Sequence, residues 1–142
     1  MESPVVGAHH VGVTVTDLER SIAFYQSLFG FAVSARFSVS GEAFETAVAV
    51  PDARADFAHL DADGIRLELV SYTPSGADRL DSQLNDAGAV HIGFSVTDLD
   101  RFYTELPADV EPLSEPQTTE TGTSILFLRD PDGTLIEVLE TE

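Results

Sequence analysis

Cysteine is missing from all 142 residues, which excludes disulfides, thiolate metal ligands and cysteine nucleophiles. Any metal must therefore be held by histidine and carboxylate. Lysine is missing as well: seven arginines face 25 Asp and Glu, for a net charge of −18. So acidic a surface argues against nucleic acid and anionic membrane as partners, because both need cationic patches. Residues 1–8 contain no basic stretch followed by an apolar run, and no window approaches the ~18 apolar residues of a membrane span. A soluble, cytoplasmic protein is expected.

What is present argues for a folded chain. Hydrophobic residues make up 43% and include nine Phe, enough to outweigh the charge, and the length suits one domain with a proper core. The acidic, lysine-free composition resembles that of cytoplasmic proteins from salt-adapted organisms. At 1 M salt the screening length falls to roughly 3 Å, so carboxylate repulsion that strains the fold in dilute buffer is largely removed.

The chain repeats itself. His10-Val-Gly-Val-Thr-Val-Thr-Asp-Leu-Glu-Arg20 matches His91-Ile-Gly-Phe-Ser-Val-Thr-Asp-Leu-Asp-Arg101 without a gap, with seven of eleven positions identical. Each copy reads as a strand handing over to a helix. Thr16 and Thr97 stand three residues before Glu19 and Asp100, as in a capping box. The first helix is predicted over residues 17–29, with Leu18, Ile22, Tyr25 and Phe29 at helical spacing and Gly30 as its stop; the second is predicted over residues 98–106, ahead of Pro107.

A second pair of segments aligns: Gly64-Ile-Arg-Leu-Glu-Leu-Val70 with Gly133-Thr-Leu-Ile-Glu-Val-Leu139, placing Glu68 on Glu137. Each is a strand opened by an Asp-Gly turn. Further strands are predicted over residues 31–37, 46–50 and 57–60 in the first half and over 111–113 and 124–128 in the second. The expected fold is α+β, two tandem βαβββ modules: module one at about residues 8–71, a connector at 72–89 with a short helix near 77–84, and module two at about 90–139, all within one domain.

In each half a His opens the first strand and a Glu sits inside the last. If a pseudo-twofold axis relates the halves, His10, Glu68, His91 and Glu137 converge on one point, and two imidazoles with two carboxylates suit one divalent ion such as Zn, Ni, Co, Mn or Fe. Both glutamates have apolar chain neighbours, where an unpaired carboxylate is costly. An outward-facing Glu is the alternative. For Glu68 it stays open, because Arg66 shares its face; for Glu137 it is weaker, because Leu135 and Leu139 do. His9 aligns with Val90 and reads as structural, turned to the face opposite His10. His59 lacks a repeat partner and reads as a core or surface histidine rather than a pocket residue. No phosphate-binding glycine loop, serine elbow or triad spacing occurs.

The repeated His-x-Gly-x-x-Val-x-Asp-Leu openings, Phe24-Tyr-Gln-Ser-Leu-Phe-Gly-Phe31, and Leu128-Arg-Asp-Pro-Asp-Gly-Thr-Leu-Ile-Glu-Val138 resemble the vicinal oxygen chelate superfamily of glyoxalases, bleomycin resistance proteins and dioxygenases. The resemblance spans residues 8–139 and implies paired βαβββ modules in a glyoxalase-like cupped mixed sheet around a metal, commonly in a homodimer. By position, the family's ligands fall on His10, Glu68, His91 and Glu137, a set most similar to that of glyoxalase I. Leu84-Asn-Asp-Ala-Gly-Ala-Val-His-Ile92 looks instead like methylmalonyl-CoA epimerase.

Either likeness implies a lyase or isomerase that moves a proton next to a metal-bound carbonyl of a small carbonyl or thioester substrate. Glu137 is the candidate base and Glu68 the candidate catalytic carboxylate for the opposite face. A thiol or CoA handle would need cations, and outside the repeated helix starts these are Arg36, Arg54, Arg66, Arg79 and Arg129. A non-catalytic drug- or metabolite-binding protein of the same fold is the alternative, against which four intact ligand positions count. The extra glutamate and short chain argue against a ring-cleaving dioxygenase. The composition itself predicts that the thermal unfolding midpoint rises from dilute buffer to molar KCl; an unchanged or lower midpoint would mark the charge as that of an ordinary acidic protein.

Overall fold

The computed structural model describes residues 2–78 and 82–141, and the chain divides after Ala77 into two compact units. In the first, β1 (Val11–Thr14) leads into α1 (Leu18–Phe29), followed by β2 (Ala32–Ser40), α2 (Glu42–Val48), β3 (Arg54–Asp61) and β4 (Arg66–Thr73). The sheet order is β1-β4-β3-β2, with β1 parallel to β4 and the other pairs antiparallel. The second unit repeats the plan with β5 (His91–Ser95), α3 (Leu99–Thr104), β6 (Gln117–Thr118), β7 (Ser124–Arg129) and β8 (Leu135–Glu140), in the order β5-β8-β7-β6. The two mixed sheets with their helices are the expected α+β pair of βαβββ modules.

Strand alternation divides each sheet into two working faces. In the first unit Val13, Ala58, Leu60, Leu67 and Leu69 share one face and are buried, and α1 packs against β3 and β4 through Ile22 and Tyr25. Burying each of the larger apolar side chains contributes roughly 1.5–3 kcal/mol before entropic costs. In the second unit Ile92, Phe94, Leu126, Leu128, Ile136 and Val138 form the corresponding buried face, and α3 contributes Leu99. The opposite faces carry His and Glu.

Both helices are capped one residue later than the Thr-x-x-acid spacing suggests. Asp17 Oδ1 accepts from the Arg20 amide at 3.1 Å, and Asp98 Oδ1 from the Arg101 amide at 3.0 Å. Aspartate outcompetes the preceding threonine because its carboxylate reaches the orphan N–H and also opposes the positive end of the helix dipole. Thr16 Oγ1 instead accepts from Arg20 Nη2. Gly30 ends α1 with φ 74°, a left-handed conformation that costs a glycine nothing. The second helix stops at Thr104, short of the expected 106.

Two predicted strands are absent. Residues 46–48 belong to α2 and Ala49 is its left-handed cap, so the alternation of Thr46, Val48 and Val50 did not make a strand. Gly41 at φ 106° breaks the chain after β2, Glu42 and Glu45 favour a helix start, and Phe44 with Val48 forms the half-buried stripe. Residues 111–113 supply only a bridge from Pro112 to Leu128; the fourth strand is the two-residue β6, just after Pro116. Prolines lack the N–H that a ladder needs. The short helix expected near residues 77–84 falls partly outside the described residues, and 77, 78, 82 and 83 carry no regular structure. Among the described residues no helix is long and apolar enough to cross a membrane. Urea denaturation should show Asp17→Ala losing about 1 kcal/mol and Thr16→Ala losing less; the reverse order would restore the capping box.

Candidate functional site

The site begins from a repeated local device, a glycine facing a glutamate. Gly12 is in register with Glu68 across β1 and β4, and Gly93 with Glu137 across β5 and β8. A Cβ added at Gly12 would lie 3.8 Å from the His10 ring, and one at Gly93 3.8 Å from Glu137 Oε1. Single methyls are therefore ordinary contacts, but anything longer presses on the His10 ring in the first unit and on Glu137 and Leu139 in the second. His-x-Gly is thus the sequence form of a histidine brought over its neighbour strand's carboxylate.

Within the first unit His10 Nε2 lies 3.5 Å from Glu68 Oε1. Within the second, His91 Nε2 lies 3.5 Å from Glu137 Oε1. Metal-to-ligand distances of about 2.0–2.2 Å put neighbouring donors of one ion roughly 3.0–3.5 Å apart, so each pair fits two adjacent positions of a coordination shell. Imidazole and carboxylate donors also suit a borderline divalent ion. Among the described residues no group of three or more His, Asp or Glu is arranged to hold an ion, so the donor set comes as a pair in each unit.

Glu68 does not lie on a solvent face. Its side chain is 14% exposed, and Val70 and Phe57 on the same face are buried with Ala55 beneath Phe44 and Tyr72. Arg66 misleads because it is the strand's first residue, opposite Asp61 at the sheet's end. The carboxylate there has a partner that sequence reasoning set aside: His59, directly across in β3, places Nε2 2.7 Å from Glu68 Oε2. His59 is only 12% exposed and its ring stacks with that of His10 at 6.4 Å between centroids. The signal was available, since a hairpin centred on Asp63-Gly64 pairs residue 68 with residue 59.

The second unit differs at that place. The residue across from Glu137 in β7 is Phe127, whose ring meets His91 edge-on at 5.4 Å. The turn before β8 is built by Asp130, whose Oδ1 accepts from the amides of Asp132 and Thr134, both at 2.9 Å.

His9 also departs from expectation. Residues 9 and 10 precede β1, so strand alternation does not govern them, and His9 Nδ1 lies 2.8 Å from His10 Nδ1. That contact engages the rear nitrogen of His10 and leaves Nε2 directed at Glu68. Arg66 Nη1 reaches His9 Nε2 at 3.4 Å, beside a cavity of about 340 Å³ lined by His9, His10, Ser34, Asp61 and Arg66. The remaining arginines serve elsewhere. Arg36 is bound by Glu19, whose hydrogen bond raises the guanidinium pKa; Arg54 sits 3.5 Å from Asp56; Arg129 donates to the Gly133 and Ser82 carbonyls. Arg79 lies outside the described residues.

Comparison with known proteins places these features in context. The pattern of the Glyoxalase/Bleomycin resistance protein/Dioxygenase superfamily matches residues 7–138. Metallothiol transferase FosB of Shouchella clausii is 32% identical over 146 residues, covering 94% of this chain and 80% of that protein. A glyoxalase family protein from Bacillus cereus superposes with a TM-score of 0.86 at 24% identity, covering 98% of this chain and 96% of the other. The trypanothione-dependent glyoxalase I of Leishmania major superposes with a TM-score of 0.63 at 26% identity, covering 92% and 84%.

The glycine geometry sets an expectation for Gly93→Ala and Gly93→Val. Alanine should keep the chain's divalent metal uptake, measured by elemental analysis after reconstitution, whereas valine should lower it with little change in melting temperature. Equal uptake by both would show that the space facing Glu137 is not used.

Proposed function

Because the chain belongs to the Glyoxalase/Bleomycin resistance protein/Dioxygenase superfamily, we propose that it is a divalent-metal-dependent lyase or isomerase that moves a proton next to a carbonyl. The observation that carries this reading is the duplicated His–Glu pair at 3.5 Å, which supplies two carboxylates where one would be enough to hold an ion. In this reading the two units act as one glyoxalase-like domain, and His10, Glu68, His91 and Glu137 hold one ion of the Zn, Ni, Co, Mn or Fe type.

When bound, such an ion supplies Lewis acidity that makes the carbon next to a carbonyl acidic. The protein's part is to orient the substrate and accept the proton. Glu137 is the base, and Glu68 stands towards the opposite face as a ligand. A carboxylate engaged by an ion is a poor base, so Glu137 would have to be clear of any bound ion to accept the proton. Its 21% exposure gives the side chain more room to move than Glu68 has at 14%. The substrate is a small carbonyl adduct of a thiol, as for glyoxalase I, or a thioester, as for the epimerase. The acidic, cysteine-free composition suits action in the cytoplasm at high ionic strength, and the family resemblance suits a homodimer.

A second reading rests on the FosB relative, named as a metallothiol transferase. Transfer of a thiol to a metal-held substrate needs His10, His91 and Glu137 as ligands and leaves Glu68 without a required part. The two readings separate on Glu68→Gln, which should abolish isomerisation of a methylglyoxal–thiol adduct or epimerisation of methylmalonyl-CoA but leave thiol transfer to fosfomycin intact. For the base, Glu137→Gln should lower proton-transfer turnover by about 10²–10⁴-fold, while His91→Ala should lose the metal. Full activity in the first variant, or wild-type metal content in the second, would remove the corresponding assignment.

A further inference from the structure

Each unit sets a His–Glu pair on the same face of its sheet, but what meets the glutamate from the third strand differs. His59 stands across from Glu68, and Phe127 stands across from Glu137. We infer that His59 is a positioning residue which makes the two carboxylates unequal, fixing Glu68 as the permanent ligand and leaving Glu137 as the one that moves. The inference rests on the proposed metal-dependent function and assigns within it a role to a residue outside the ligand set.

The geometry is specific about which oxygen does what. His59 Nε2–H donates to Glu68 Oε2 at 2.7 Å, so that oxygen already has a partner. The other oxygen, Oε1, is the one 3.5 Å from His10 Nε2 and remains to bind an ion through a single atom. His59 is itself held: Phe37 packs edge-on against its ring at 5.0 Å, and Phe37 stacks on Phe57 at 4.9 Å. A ring braced in this way fixes the Glu68 rotamer as partners of metal ligands commonly do. Phe127 offers Glu137 no donor. Its ring occupies the place of the imidazole, so swinging Glu137 off an ion breaks no hydrogen bond to this strand, whereas swinging Glu68 would strand its charge beside apolar Phe57 and Val70.

The sequence shows the same thing once the register is known. Duplication preserved His, Gly and Glu in both halves, and the halves diverge at the residue facing the Glu. Divergence there is what a pair of carboxylates with separate duties requires, since identical surroundings would give them identical mobility.

The test uses Co²⁺ as a spectroscopic probe on the full chain in molar salt, comparing wild type, His59→Phe, His59→Gln and Phe127→His. His59→Phe gives the first unit the surroundings of the second, and should weaken Co²⁺ binding about 10–100-fold and alter the visible d–d absorption. His59→Gln, which can still donate to Oε2, should return both towards wild type. Circular dichroism establishes that each variant is folded. Should His59→Phe not fold, Phe127→His carries the test from the other unit: a donor to Glu137 should tighten Co²⁺ binding and change the spectrum. Wild-type spectra and affinities in both His59→Phe and Phe127→His overturn the inference while leaving the metal site standing. Failure of the wild-type chain to take up Co²⁺ overturns both the inference and the function on which it rests.

Discussion

A carboxylate in the middle of a strand can be tolerated only if the opposite face of that strand buries enough to hold the sheet and the carboxylate itself finds a partner. Both Glu68 and Glu137 meet that constraint in the same manner. Leu67 and Leu69, or Ile136 and Val138, turn towards the helix, and the glutamate emerges on the other face against a histidine at the start of, or just before, the neighbouring strand. Strand period fixes which side the glutamate takes, parallel pairing of first and last strands brings the histidine beside it, and the glycine two residues on leaves the gap open.

The third strand adds what pairing alone does not. A carboxylate has two oxygens, and whether the second is engaged decides how readily the group can rotate. In the first unit an imidazole engages it; in the second an aromatic ring stands in its place. The two His–Glu pairs made by repeating one pattern thereby differ in what partners the carboxylate. His9 and Arg66 extend the network behind His10, with no counterpart at Val90.

Much of this is legible in the sequence. Gapless repetition located both first strands and both helix starts, the Asp-Gly turns located both last strands, and the paired His and Glu positions followed. What was misread has identifiable physical causes. Thr16 looked like a cap because hydroxyl and acid had the right spacing, but the longer reach and charge of Asp17 prevailed. Thr46, Val48 and Val50 alternate like a strand, yet a glycine break and two early acidic residues made a helix of that segment. His59 was set aside because the repeat gave it no partner, although counting outward from the Asp63-Gly64 turn places it opposite Glu68. Internal symmetry finds what two halves share and is blind to what separates them.

The second sheet ends in a strand of only two residues, with Pro112 and Pro116 on the approach to it. Molecules carrying 18 net negative charges hold one another apart in dilute solution, but that long-range repulsion fades once ions crowd the medium. An open sheet edge would then be free to zip onto another molecule's edge. At this border the strand is too brief, and its approach too rich in proline, to template a ladder, a property of its geometry that does not weaken as the ions accumulate.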